Sequence, residues 1–463
     1  MMPVIPLIPV SDPGPHAIAP TDVAQFIRLG QCQRYLRLHL DQRTPHSRFM
    51  RDAGVAMQTI PPLLTQSGEA FELATLRDIA TRFPLHRCSP EERLAEGVAN
   101  DNETLIDRVR ELAPGETLVV SQPRVEARVG QWTLRGDLDL LRLARDAEGL
   151  LHILIADMKS STAARVEHRL QVAFYHRMVG SVLAGAGIPH LPIALAILYR
   201  GPAMSGNDGD PAWTDEQRQQ RADAEATFAA QAGLLERIED AEAYLGAADD
   251  LVLSRESVAK RILAQPFAQI PFHLGTICDG CAYNAFCMKQ SAESDDLSLL
   301  PHLSAGEKTA LRAAGVTTVR DLARLKDLER KGSIQVDGES REHTVLVPRP
   351  ETEALTRRLA ATWPVGPNLD ELIFRARRYR NWVGEDIAWT STIPNTGYSS
   401  LPWVDPDHNP NLVRVYLDAQ HDYLNDRAAM LSALVVGAEH GEDDPQRRRS
   451  IVRLAPRQPH EDE

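Results

Sequence analysis

Leu151-His152-Ile153-Leu154-Ile155-Ala156-Asp157-Met158-Lys159 is an apolar run that ends in an acid and a lysine. Side chains alternate along an extended chain. Leu151, Ile153, Ile155, Asp157 and Lys159 therefore share one face, and Leu154, Ala156 and Met158 the other. Apolar residues on both faces indicate a buried central strand. Two charges closing such a face are poor packing, but they suit a strand whose end opens into a metal site. Upstream, Gly136-Asp137-Leu138-Asp139 reads as part of another strand. Downstream, Gln171 and Tyr175 are four apart in a helical stretch, hence stacked on one face.

The flanking sequence alternates between the two periodicities. Thr117 to Val120, Val125 to Val129 and Trp132 to Leu143 read as a meander with turns at Pro123 and Gly130. Val166 to Leu183 is helical, Leu191 to Tyr199 is another buried strand, and polar helices fill Thr214 to Leu263. Ahead of the strands, Thr21-Asp22 caps a helix carrying Val23, Phe26 and Ile27. Gly30 ends or weakens that helix before Tyr35, Leu36 and Leu38. A second helix over Gly68 to Ile79 carries Glu72, and polar helical sequence continues to Leu112. Past the acidic stretch Ser291 to Asp296, Leu299 to Leu325 forms a compact helical unit. Pro- and Asn-rich loops lie between Pro394 and Pro410, and the last twenty residues are charged and expected to be disordered. The fold class is α/β: a mixed sheet flanked by helices, a small helical module, and a mixed α/β C-terminal region.

Bulk properties set the limits. A chain of 463 residues exceeds one ordinary core. Its net charge of −13 argues against a protein that coats nucleic acid non-specifically. It does not argue against a nuclease, whose site is itself acidic and whose cations are local. Local clusters exist at Arg165, Arg169 and Arg177, and at Arg375, Arg377, Arg378 and Arg380, each of which also fits a solvated helix face. No apolar run approaches a membrane span. The lead Met1 to Pro20 lacks Lys and Arg, so a cytoplasmic protein without a membrane partner is expected.

Phosphodiester hydrolysis needs a hard divalent cation on carboxylate oxygens, an activated water, and positive charge near the developing negative charge. Asp139, Asp157 and Glu72 are the expected ligands of Mg²⁺ or Mn²⁺, with the Met158 backbone carbonyl as a further one. Lys159 orients the water and stabilises the transition state, while Gln171 and Tyr175 position DNA or the lysine. A lone D-x-K is common as a strand-end salt bridge; the ordered set is far more specific.

That set resembles the RecB-like nucleases of the PD-(D/E)XK superfamily. Gly68 and Glu72 fall on the first motif, Gly136 and Asp139 on the second, Asp157 and Lys159 on the third, and Gln171 and Tyr175 on the last. Where many relatives carry His in the first motif this chain has Glu72, which also ligates Mg²⁺ but shifts metal preference. The resemblance implies a restriction-endonuclease-like core with the metal site at one sheet end. It implies a deoxyribonuclease acting on single-stranded DNA or DNA ends in repair, recombination or antiviral defence, with a helicase or another repair protein as partner. The alternative is a catalytically silent iron–sulfur subunit that binds DNA within a helicase–nuclease assembly.

Of five cysteines, Cys278, Cys281 and Cys287 crowd together, and Cys32 and Cys88 stand apart. The run Cys32-Gln33-Arg34-Tyr35-Leu36 resembles the place where iron–sulfur RecB-like nucleases put their first ligand. These include CRISPR-adaptation and AddB-type nucleases. The resemblance implies a 4Fe-4S cluster on Cys32, Cys278, Cys281 and Cys287; zinc also accepts four thiolates. Leu299 to Ala323 resembles a helix-hairpin-helix module, a DNA contact or a plain connector. Val413 to Gln420, with Leu431 to Gly437 as hairpin partner, resembles the opening of an RNase H-like domain. The expected division is a lead (1–20), a nuclease with its cluster (21–296), a helix-hairpin-helix-like module (297–340), and a C-terminal region (341–463) holding a truncated remnant and a disordered tail.

Overall fold

The computed structural model describes residues 16–40, 46–56, 62–201, 214–231, 233–336, 339–388, 413–422, 427–439 and 442–454. The lead before residue 16, the loop stretch 394–410 and the tail from 455 lie outside the described residues. The chain divides into two compact units. One holds the described residues within 11–28, 59–261 and 399–463, the other those within 29–58 and 262–398.

In the first unit the strands are β1 (His16–Ile18), β2 (Leu85–Arg87), β3 (Thr117–Ser121), β4 (Arg124–Val129), β5 (Trp132–Asp137), β6 (Leu140–Arg145), β7 (Leu151–Lys159), β8 (Ala194–Tyr199) and β9 (Leu234–Arg237). Six form a mixed sheet in the order β2-β3-β6-β7-β8-β9, and the other three pair as β1-β5-β4. β7 runs antiparallel to β6 and parallel to β8. A parallel neighbour requires a crossover, and the helix Val166–Gly185 supplies it. Leu154, Ala156 and Met158 pack with Leu140, Ala196 and Leu198 beneath Phe71, Leu76 and Ile79 of the helix Pro62–Ala80 and Phe228 of the helix Asp215–Phe228. The crossover helix packs on β7, β8 and β4, burying Leu170, Val172, Phe174, Met178 and Val179. A helix in contact with two sheets is apolar on most of its circumference. Truncating a buried Leu, Met or Phe among these residues to Ala costs about 2–5 kcal/mol. This mixed sheet flanked by helices is the restriction-endonuclease-like core.

Three expectations need correction here. The meander is broken: β3 pairs with β2 and β6, and only β4 and β5 form a hairpin. The stretch Trp132 to Leu143 is two strands in different sheets, so Asp139 stands in the break between β5 and β6 rather than within a strand. Period-two alternation continues across that break, and alternation alone cannot reveal a change of sheet. The short edge strands β2 and β9 lie in stretches that read as polar helix. At the end of the lead, β1 pairs in parallel with β5.

In the second unit, the helices Ala305–Ala313 and Val319–Ala323 turn at Gly315, whose φ of 95° favours glycine. Their core is shared. Leu311, Val316, Val319 and Leu322 pack with Leu359, Leu372, Ile373 and Ala376 from the helices Glu353–Ala360 and Leu369–Trp382. Between them lies the hairpin β10 (Lys326–Val336) and β11 (Glu339–Pro348). Lys308 is buried, donating to Phe272 O (2.8 Å), Asp296 Oδ1 (2.6 Å) and Ser298 Oγ (2.7 Å).

Near the C-terminus β12 (Val413–Asp422), β13 (Arg427–Glu439) and β14 (Glu442–Leu454) form an antiparallel sheet. The expected pairing of Val413–Gln420 with Leu431–Gly437 is present. The expected disorder of the last twenty residues fails up to Leu454, because β13 offers a free edge on which the arginine-rich segment pairs. Among the described residues no helix is long and apolar enough to cross a membrane.

Candidate active site

The end of β7 gathers the acidic groups. Asp157 is 1% exposed and points toward the crossover helix, where Gln171 Nε2 donates to its Oδ1 at 3.1 Å. Gln171 also donates to Tyr175 Oη (3.2 Å), and Tyr175 Oη donates to the Asp137 carbonyl at 2.7 Å. The four-residue spacing of Gln171 and Tyr175 thus becomes a hydrogen-bond chain from the end of β7 to the end of β5. Asp139, in the break after β5, accepts the Met158 backbone N–H on Oδ2 at 2.6 Å. The break frees its side chain to reach across to β7.

Lys159 Nζ lies 2.7 Å from Asp157 Oδ2, which nonetheless has no hydrogen-bond donor in line. Their contact is an ion pair at hydrogen-bonding distance. Burial pushes the Asp157 carboxyl up to about 8, with Lys159 pulling down and Asp139 pushing up. Burial opposes the charge on Lys159, but Asp157, Asp139 and Glu72 outweigh it and hold the ammonium protonated. Glu72 is raised by burial first, then by Asp139, with Lys159 offsetting. These four groups therefore sit in one electrostatic neighbourhood. Without a cation these shifts favour a protonated Asp157; with all three carboxyls ionised, the set and its ammonium would carry two net negative charges, the charge that a divalent cation balances.

Among the described residues, however, no three His, Cys, Asp or Glu side chains stand assembled as a metal site. The geometry gives the reason. Asp139 is tied to a backbone amide, Asp157 to Gln171 and Lys159, and Glu72 Oε2 accepts from Gln122 Nε2 at 3.4 Å. The oxygens must turn toward one point before they share an ion. The donor set does fit a hard cation: all oxygens, one of them a buried carboxylate oxygen with no well-directed donor, met only by the Lys159 ammonium at 2.7 Å. The Met158 side chain packs in the core, and its backbone N–H is the group seen to serve the site.

Two residues were missed from the sequence. Gln122 links Glu72 to Asp139, since its own N–H donates to the Asp139 carbonyl at 3.2 Å. It holds a left-handed backbone (φ 54°), unusual for a residue before proline, and Ser121-Gln122-Pro123 was the only available signal. His168 lies in the first turn of the crossover helix, where Nδ1 accepts from Arg165 N at 3.2 Å. Burial, then Lys159, lower its pKa to about 4, so it is neutral at pH 7. Gly136 has a steric role: a Cβ there would sit 2.8 Å from Tyr175 Cε1 and 3.0 Å from Pro20 Cδ.

In the second unit Cys32 precedes the helix Gln33–Leu40, Cys278 lies in a 3₁₀ turn, Cys281 follows it, and Cys287 is in the helix Asn284–Ser294. All five cysteines are free thiols. Burial pushes the Cys287 thiol up to about 12, Arg34 pulls it down, and Cys281, Cys32 and Cys278 push it further. Cys32 is likewise raised by burial and by Cys278. The four thiols are near enough to sense one another, though not assembled as a ready metal site. Cys88, which belongs to the first unit, is buried beside Asp101.

No curated protein matches this chain. Among solved structures, one described as the crystal structure of SSO0001 aligns with 59% of this chain and 85% of its own, at 10% identity and a TM-score of 0.21. The profile of the PD-(D/E)XK nuclease superfamily matches residues 41–288, more than half the chain. That span includes Glu72, Asp139, Asp157, Lys159, Gln171 and Tyr175. With the acidic cluster at one end of a mixed sheet and the profile running through it, the chain belongs to the PD-(D/E)XK nuclease superfamily.

Proposed function

We propose that the chain hydrolyses DNA phosphodiester bonds with Mg²⁺ or Mn²⁺, in the manner of a RecB-like nuclease, on single-stranded DNA or DNA ends. The observation that carries this is Asp157: buried at the end of the central strand, with Oδ2 2.7 Å from the Lys159 ammonium and Asp139 and Glu72 in the same electrostatic neighbourhood. Glu72, Asp139 and Asp157 hold the cation, and the Met158 carbonyl is a further candidate ligand. When bound, the ion supplies Lewis acidity and draws the scissile phosphate to the site. Lys159 orients the attacking water and offsets charge on the phosphoryl oxygens. Gln171 and Tyr175 fix the Asp157 carboxylate. Asp157→Ala and Lys159→Ala are each expected to abolish metal-dependent cleavage of a labelled oligonucleotide while circular dichroism stays unchanged; wild-type-like cleavage by either removes the mechanism.

The mutual proximity of four thiols supports a cluster on Cys32, Cys278, Cys281 and Cys287 within a 21–296 nuclease domain, and their one-plus-three spacing favours 4Fe-4S over zinc. Anaerobic purification with a visible spectrum and an iron count tests it, and a colourless zinc protein overturns it. A helix-hairpin-helix-like module, a remnant C-terminal domain and a helicase or defence partner complete the reading. A second reading, a silent DNA-binding subunit, is favoured by the lack of a ready-made ligand set among the described residues. Binding without cleavage in both Mg²⁺ and Mn²⁺ decides for it.

A further inference from the structure

The helix Leu369–Trp382 has two faces of different character. Leu369, Leu372, Ile373 and Ala376 enter the core, and two arginines of the basic cluster go with them. Arg377 donates to the carbonyls of Ala323, Lys326 and Ala388, and Arg380 is held by Asp295 and Glu385. Their charge is used in folding. Arg375, Arg378, Tyr379 and Trp382 form a separate stripe at helical spacing. With Pro301 and His302 they line a pocket of about 350 Å³.

Half-buried Tyr379 packs against the core, whereas the indole beside it does not. Trp382 is 80% exposed, tilted at 47° against Tyr379 with ring centroids 6.2 Å apart. Arg378 is exposed beside it. Arg375 is braced, donating to Pro301 O at 3.4 Å and pairing with Glu371, the acid on this side of the helix. His302, in the opposite wall, is held at φ 61°, a conformation disfavoured for a residue with a Cβ. An exposed indole with two guanidiniums on the same stripe matches an unpaired base and its backbone phosphates. Duplex DNA hides its base faces and offers Trp382 nothing to stack on. In a chain of net charge −13, cations beside an exposed indole are a local feature that steers an anionic strand.

We propose that this stripe is a binding platform for single-stranded DNA, a base stacking on Trp382 and its phosphates lying against Arg375 and Arg378. The choice of DNA rests on the nuclease reading above; the stacking and charge argument does not. Binding of a fluorescent oligothymidylate to the full chain is measured by anisotropy in EDTA, where no metal-dependent cleavage occurs. Trp382→Ala is expected to weaken binding about tenfold and Trp382→Phe to retain most of it. Arg375→Ala with Arg378→Ala is expected to flatten the salt dependence by about 0.7 in slope per lost phosphate contact. Arg378→Glu, at an exposed position, gives a second answer should Trp382→Ala fail to fold.

Unchanged affinity in these variants overturns the proposal. So does equal affinity for duplex DNA, tighter binding of an RNA of the same sequence, or a Trp382→Ala effect confined to self-association in sedimentation. Cleavage is read separately with Mg²⁺ added. Trp382-dependent binding without cleavage sinks the nuclease reading and leaves this one, while cleavage with Trp382-independent binding does the reverse.

Discussion

Asp157 is buried beside Lys159, with Oδ1 held by Gln171 and Oδ2 lacking a directed donor. Its carboxyl is raised to about 8, above the ordinary value near 4, so its contribution to stability is fully present below about pH 4 and lost as pH rises toward 8. In EDTA the protein is therefore expected to lose stability between pH 5 and pH 8, with a smaller loss in Asp157→Asn; equal pH dependence in thermal melts contradicts this. Gly136 makes a different demand, for space. Gly136→Ala pushes a methyl against Tyr175 and the rigid Pro20 ring, an overpacking cost of about 1–3 kcal/mol. The displaced Tyr175 hydroxyl also loosens Gln171 and Asp157, so cleavage is expected to fall together with the urea midpoint. A neutral substitution refutes that coupling. Asp157 and Gly136 were legible as motif positions, but the steric reason for Gly136 appears only once Tyr175 and Pro20 close on it.

Strands and helices set how far pattern reading carries. β7 and the crossover helix were legible because long apolar runs admit few alternatives. β2 and β9 were not, being three and four residues long and defined by pairing with strands remote in sequence. The break at Asp139 hid for a related reason: which sheet a strand joins depends on its partners, not on its own alternation. β14 shows the limit of reading charge as disorder, since Arg448 and Arg449 pair with β13. Among the helices, Lys308 of Ala305–Ala313 joins Asp296, Ser298 and Phe272 O in a buried junction. Lys308→Met strands Asp296, leaving it the partly exposed Arg312 at 3.5 Å, and is expected to cost about 3 kcal/mol in denaturant unfolding. The double variant with Asp296→Asn is expected to recover part of that loss; strict additivity contradicts a paired role.

For the whole molecule, the net charge of −13 says little, because function turns on local charge. The acidic residues at the β7 end lie in one compact unit and the four cysteines in the other. The motif order marked both groups, whereas the division of the chain between units rests on contacts the sequence does not display. The central claim is that Glu72, Asp139 and Asp157 turn their oxygens onto one divalent ion. Calorimetric titration of Mn²⁺ into the wild-type chain and into Asp157→Ala and Asp139→Ala, each with a non-cleavable oligonucleotide present, reads this directly. One wild-type site that vanishes in both variants is expected; Mn²⁺ binding that survives both substitutions, or fails in the wild-type chain, contradicts it.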